Sequence, residues 1–138
     1  MTRLRFTFAL LILSSLFIAA EASAQAGKND IAVVVHPDTP VNDMTVAEVR
    51  KVFTGDRQYW TSNMPVILLV RAPVAREREV VLKKIYQMSE SQFKQFWIAK
   101  IFRSEAVSAP KIVYSSDMAN QILAAVPGSI ASCINSNV

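Results

Sequence analysis

One cysteine, one histidine and three glycines are all that this 138-residue chain holds of the residues that most often build covalent, metal and phosphate sites. A single cysteine excludes an internal disulfide framework, and one cysteine with one histidine exclude a dedicated zinc cluster. Three scattered glycines cannot form a Walker loop or a dinucleotide fingerprint, and no Ser/His/Asp elbow is present. Charge is scarce as well. Fifteen Lys and Arg against eleven Asp and Glu leave +4, without the basic runs of a nucleic-acid binder. Asp38 and Asp43 lie in a loop-like stretch near the first strand, and nothing in the sequence suggests a raised pKa or an apolar pocket there, so paired-carboxylate glycoside chemistry has no support. These absences point away from an enzyme, a metalloprotein and a nucleic-acid partner, and they imply no cofactor.

Apolar residues are plentiful. They make up 51% of the chain against 19% charged, which fits one compact domain rather than a disordered tail. Part of that fraction belongs to targeting. Arg3 and Arg5 precede an apolar run from Phe6 to Ala20, and Ala22-Ser23-Ala24 and Ala24-Gln25-Ala26 offer small-residue cleavage sites. This is the layout of a secretory signal peptide, and the run falls short of the roughly twenty residues that a spanning helix needs. Residues 1–26 are expected to be a cleaved leader. Residues 27–138 then form a single domain, periplasmic or secreted, with no stable membrane span. In that setting Cys133, within Ile130-Ala131-Ser132-Cys133-Ile134, reads as a small buried hydrophobe, although a free thiol could pair with another chain. His36 stands without a partner residue and reads as structural or surface.

Periodicity supplies the fold class. Ile31 to Val35 is short, β-branched and stopped by His36-Pro37, the pattern of a strand buried on both faces. Thr45 and Glu48 form a capping box, Met44 and Val49 a staple, and Gly55 stands where a left-handed cap belongs. A second strand covers Val66 to Val70 and a longer helix runs roughly from Val74 to Gln87. Ser89 with Gln92 caps a third helix, whose face of Phe93, Phe96, Trp97 and Ile101 reads as core. Lys111 to Tyr114 is a weak strand, and a helix follows Ser115-Ser116-Asp117 until Pro127-Gly128 stops it. Ser129 to Ile134 is the last strand, and Asn135 to Val138 a frayed end. The alternation predicts an α/β domain around a mostly parallel central sheet flanked by helices.

In such sheets ligands collect beyond the carboxyl ends of the strands, where helix amino termini aim backbone donors outward. Arg71, Arg76 and Arg78 crowd one of those ends, opposed by Glu77 and Glu79. A helix amino terminus is partly positive, so this crowding is less costly when an oxyanion sits among the guanidinium forks. The alternative is that the arginines are simply solvated. At the second edge, Ser115 and Ser116 either donate hydroxyls to the same anion or cap the helix.

Ile31 to His36 with Pro40-Val41, then Met44 to Val49, Val52-Phe53-Thr54-Gly55 and Trp60, resemble the periplasmic phosphate-binding family. That family shows there a hydrophobic strand, a Pro-Val turn, a leucine-serine/threonine-x-x-glutamate-leucine helix start, isoleucine-phenylalanine-x-glycine and a tryptophan. Pro65-Val66-Ile67, Val70-Arg71, Phe96-Trp97 and Pro127-Gly128-Ser129-Ile130 resemble its later landmarks. The resemblance implies a single periplasmic-binding-protein-like lobe, the substrate-binding component of a phosphate ABC transporter. It implies phosphate or a related oxyanion as ligand, with an ABC permease or a second copy of the chain as partner. The family grips phosphate between two lobes, and this chain has room for one. Where the family has a serine-glycine-threonine loop after its arginine, this chain has Ala75-Arg76-Glu77, so Arg76 and Arg78 stand as substitutes beside Arg71. The competing reading is a lobe that kept the fold and became a protein-interaction module. It would act through a helix around Tyr59 and Trp60 or through an unpaired sheet edge.

Overall fold

The computed structural model describes residues 30–134; the expected leader and the C-terminal end lie outside them. Four strands form the main sheet: β1 (Ile31–Val35), β4 (Ile67–Arg71), β5 (Lys111–Val113) and β6 (Ser129–Ile134), in the order β1-β6-β4-β5. β4 pairs in parallel with both β5 and β6, and β1 runs antiparallel to β6. The sheet is thus mostly parallel, as the alternation of elements predicts. β1 departs from its expected place. It is an edge strand whose residues are half-buried, with Val34 exposed, rather than a strand covered on both faces. An unbroken Val-rich run does not distinguish a central strand from an edge strand that leans on a helix layer.

Helices cover both faces. On one face Leu68, Val70 and Ile130 pack with α1 (Val46–Phe53), α2 (Arg76–Val81) and α3 (Glu90–Phe102). On the other, Leu69, Val113 and Ala131 pack against Ala119 and Leu123 of α4 (Ser116–Ala125). The strand period of two explains the split, since alternate residues of β4 face opposite layers. The sequence signals for α1 hold in detail: Glu48 N–H donates to Thr45 Oγ1, and Thr45 N–H donates to the Glu48 carboxylate at 2.7 Å. Gly55 ends the turn with φ 75°, and a Cβ there would meet the Trp97 ring at 2.9 Å. α3 begins with the expected Ser89–Gln92 box. Phe53, Tyr86, Phe93 and Trp97 then stack edge to face through the core.

Three features depart from the sequence reading. The long second helix starts at Arg76 rather than Val74, which is almost fully exposed. It continues as a π-helical turn over Leu82–Tyr86 and stops at Gln87 with φ 55°. Tyr59 and Trp60 are not helical. They lie in β2 (Tyr59–Thr61), which pairs with β3 (Met64–Pro65) as a small hairpin. The buried Trp60 indole donates to the Gly128 carbonyl at 2.8 Å, tying the hairpin to the start of β6.

Candidate functional site

β4, β5 and β6 run in parallel, so their carboxyl ends share one edge of the sheet, and Arg71 closes β4 there, opposite Val113 of β5. By strand alternation Arg71 lies on the face of Leu69 and Val113, the face that α4 covers. One residue after β5, Ser115 caps α4 and Ser116 opens it at this edge. Ser115 caps the helix by accepting from the Met118 N–H at 3.0 Å, and Ser116 is exposed in the first turn. Capping is the role that the structure shows for Ser115.

Arg71 is the unusual group. Its side chain is only 16% exposed, and its Nε and Nη1 are buried without a hydrogen-bond partner. Glu77 offers charge but no hydrogen bond, with Oε2 3.7 Å from Arg71 Nε. Guanidinium N–H groups left unmet inside a protein are costly, and an oxyanion accepting from them would remove that cost. Cys133 lies within electrostatic reach of the same pair. Its thiol is pushed up, chiefly by burial and further by Glu77, while Arg71 opposes the shift.

The structure does not gather the three arginines into one cradle. Arg78 turns inward, its side chain 3% exposed, and forks onto Glu90 through Nε at 2.8 Å and Nη2 at 2.5 Å. Its Nη1 donates to the Arg71 carbonyl at 2.9 Å, and its guanidinium lies over the Phe93 ring. With every face of the fork engaged, Arg78 cannot serve as the supporting anion ligand that the sequence suggests. It is a positioning residue that ties the end of β4 to the start of α3. Arg76 opens α2 on the exposed surface.

Glu90 and Cys133 escaped the sequence reading as site neighbours. Glu90 reads locally as an ordinary first-turn acid of α3, and only the packing of α3 against α2 brings it to Arg78. Cys133 could have been placed from the strand period once β6 was known to lie parallel beside β4.

A concavity of about 490 Å3 lies beside the start of α2, walled by Pro73, Val74, Ala75 and Glu90, and two others lie farther from Arg71. A groove of about 630 Å3 runs between β1, α1 and the π turn, walled by Ile31, Val33, Val35, Val49 and Ile85. A cavity of about 240 Å3 lies between the hairpin and the loop before β5, beside Trp97 and Ala106. Neither is lined by Arg71, Arg76 or Arg78. Among the described residues no group of three or more His, Cys, Asp or Glu could hold a metal ion, and no helix is long and apolar enough to cross a membrane.

No protein-family model and no curated protein matches the chain. Among solved structures it is similar to a protein from Clostridium perfringens, described as a phosphate ABC transporter substrate-binding protein with bound phosphate. The TM-score is 0.58 at 18% identity over 78% of this chain. The chain spans 40% of the length of that protein, so the likeness covers one part of it and establishes a shared fold.

Proposed function

We propose that residues 27–138 are an exported solute-binding lobe that holds phosphate or a related oxyanion at the carboxyl edge of its sheet, for ABC-type uptake or sensing. The observation that carries this reading is Arg71, with two buried N–H-bearing nitrogens unmet at the edge where α/β sheets collect ligands. The bound phosphate of the structural neighbour supports the same class of ligand. Arg71 acts as the main charge partner, Arg76 adds long-range charge, and Ser116 with the opening turn of α4 supplies donors. Arg78 fixes Arg71 from behind through its carbonyl. Glu77 holds Arg71 until a ligand arrives, and it can accept a hydrogen from a protonated phosphate but not from sulfate. The role is binding rather than catalysis. The proposed leader, residues 1–26, would deliver the domain to the periplasm or the exterior, where a permease or a second copy is the partner.

A one-walled site leaves the anion partly hydrated, so affinity is expected in the millimolar range, near −4 kcal/mol at ~1 mM. Calorimetric titration of the mature protein with phosphate and then sulfate tests this. Phosphate heat that disappears in a folded Arg71→Ala variant supports the reading. Absence of heat at about 10 mM phosphate, or heat that survives Arg71→Ala, refutes it. A second reading, the interaction module, is favoured by one observation: Ile98 and Phe102 stand exposed on the outer face of α3.

A further inference from the structure

We infer that the open edge of β1 is a self-association site, where β1 of a second copy pairs antiparallel around a twofold axis between the two Val33 residues. β1 ends the sheet order β1-β6-β4-β5, so β6 is its one neighbour among the described strands. Its register is unbroken from Ile31 opposite Ile134 to Val35 opposite Ile130, and one step further the His36 N–H donates to the Ser129 carbonyl at 3.0 Å. Antiparallel pairs alternate between bonded and non-bonded, so Val34 and Ala32 bond to β6 as His36 does. The N–H and C=O groups of Ile31, Val33 and Val35 therefore point away from the sheet. Among the described residues no backbone group meets them. The opposite edge is blunted, since β5 has three residues, opens with Lys111 and follows Pro110. No such device protects Ile31-Ala32-Val33-Val34-Val35, which holds no charge, proline or glycine.

A row of unmet backbone donors and acceptors calls for an extended strand, and the groove of about 630 Å3 beside β1 gives it room. Ile31, Val33 and Val35 floor that groove, while Val46, Val49 and Ile85 wall it. The incoming strand must therefore carry apolar side chains at alternate positions on this side. Charge at the rim nearly cancels: Asp30 pairs with Lys84 at 3.5 Å, and the remaining acid, Asp43, accepts from the Met44 N–H. A neutral apolar strand is thus favoured over a strongly charged one, and β1 of a second copy is such a strand. Hydrogen bonding fixes the register, because outward-pointing residues must face outward-pointing residues. Complete overlap then sets Ile31 opposite Val35 and Val33 opposite Val33. On the other face Val34, which is 38% exposed, comes to lie beside Ala32 of the second copy. No like charges meet within the ladder. The twofold axis stands perpendicular to the sheet, so the two carboxyl edges point in opposite directions and both anion sites stay open. A five-residue ladder falls short of the roughly 1,200 Å2 of a standard interface, so a weak dimer is expected, with a dissociation constant of ~0.1 mM.

Sedimentation of the mature protein from about 0.05 to 1 mM is expected to show a monomer–dimer equilibrium. Over the same range, amide exchange read by NMR slows at Ile31, Val33 and Val35 and changes little at Ala32 and Val34. Val33→Pro removes an N–H that the fold itself does not use. It weakens the dimer by about tenfold or more, since both bonds of the central pair are lost. Val34→Lys and Val34→Glu place charge on an exposed position beside the axis. Each weakens the dimer, and an equimolar mixture of the two recovers it. That recovery is expected even where the proline variant fails to fold, and circular dichroism checks each variant. Arg71→Ala leaves dimerisation unchanged, which separates this edge from the anion site. A wild type that stays monomeric at 1 mM overturns the inference. So does a dimer indifferent to Val33→Pro and to both charge variants, or a monomer that instead takes up an unrelated apolar peptide along this edge.

Discussion

Replacing Arg78 with methionine removes a guanidinium fork while keeping much of its volume. The fork makes two charge-assisted bonds to Glu90 and one bond to the Arg71 carbonyl, and its side chain is 3% exposed. Glu90 is 34% exposed and can turn to water, so the loss is smaller than for a fully buried pair. The Arg71 carbonyl loses the Nη1–H donor that it accepts from, and Phe93 loses the cation over its ring. Together these come to about 2–4 kcal/mol. With a urea slope near ~2 kcal/mol/M, the unfolding midpoint falls by roughly 1–2 M. The pH dependence supplies an independent check. Hydrogen bonding from Arg78 holds the Glu90 carboxyl below its ordinary 4.5, with burial opposing. A depressed carboxylate contributes stability that is complete above the unfolded value and is lost as pH falls through the lower folded one. The gap between wild type and Arg78→Met should therefore be full at pH 7 and shrink below about 4.5. A gap under about 1 kcal/mol at pH 7, or one that does not narrow in acid, would show that the fork is not the tie argued from its geometry.

Gly128→Ala should be more damaging than an ordinary turn substitution. At φ 82° an added Cβ would come within 2.3 Å of the Pro65 carbonyl oxygen, a backbone atom that cannot swing away. We expect a loss of at least about 2–3 kcal/mol in thermal or urea unfolding, and a cost below ~1 kcal/mol would refute the packing. Cys133 should label slowly with a thiol reagent at pH 8, since burial and Glu77 raise its thiol. Labelling should quicken more than about tenfold in urea, and equal rates in the two states would contradict the burial of β6.

Local chemistry accounts for much of this molecule. Thr45–Glu48 and Ser89–Gln92 are short-range bonds between residues three apart, so their sequence alone was enough to start α1 and α3 correctly. The alternation of elements likewise determined an α/β domain with a mostly parallel sheet, because strand and helix periods are properties of the local chain. The same periods placed Arg71 at a strand end, where a ligand edge belongs. Trp60 in a hairpin escaped the reading because a three-residue strand carries too few residues to show a period. What decided the candidate site was tertiary. Arg71, Arg76 and Arg78 are neighbours in sequence, yet a strand end, a helix start and a buried helix face point them in different directions. Glu90, twelve residues beyond Arg78, claimed that fork only once α3 folded back over α2. Which arginine remains unmet at the sheet edge is a question of who packs against whom, and no spacing along the chain contains that answer.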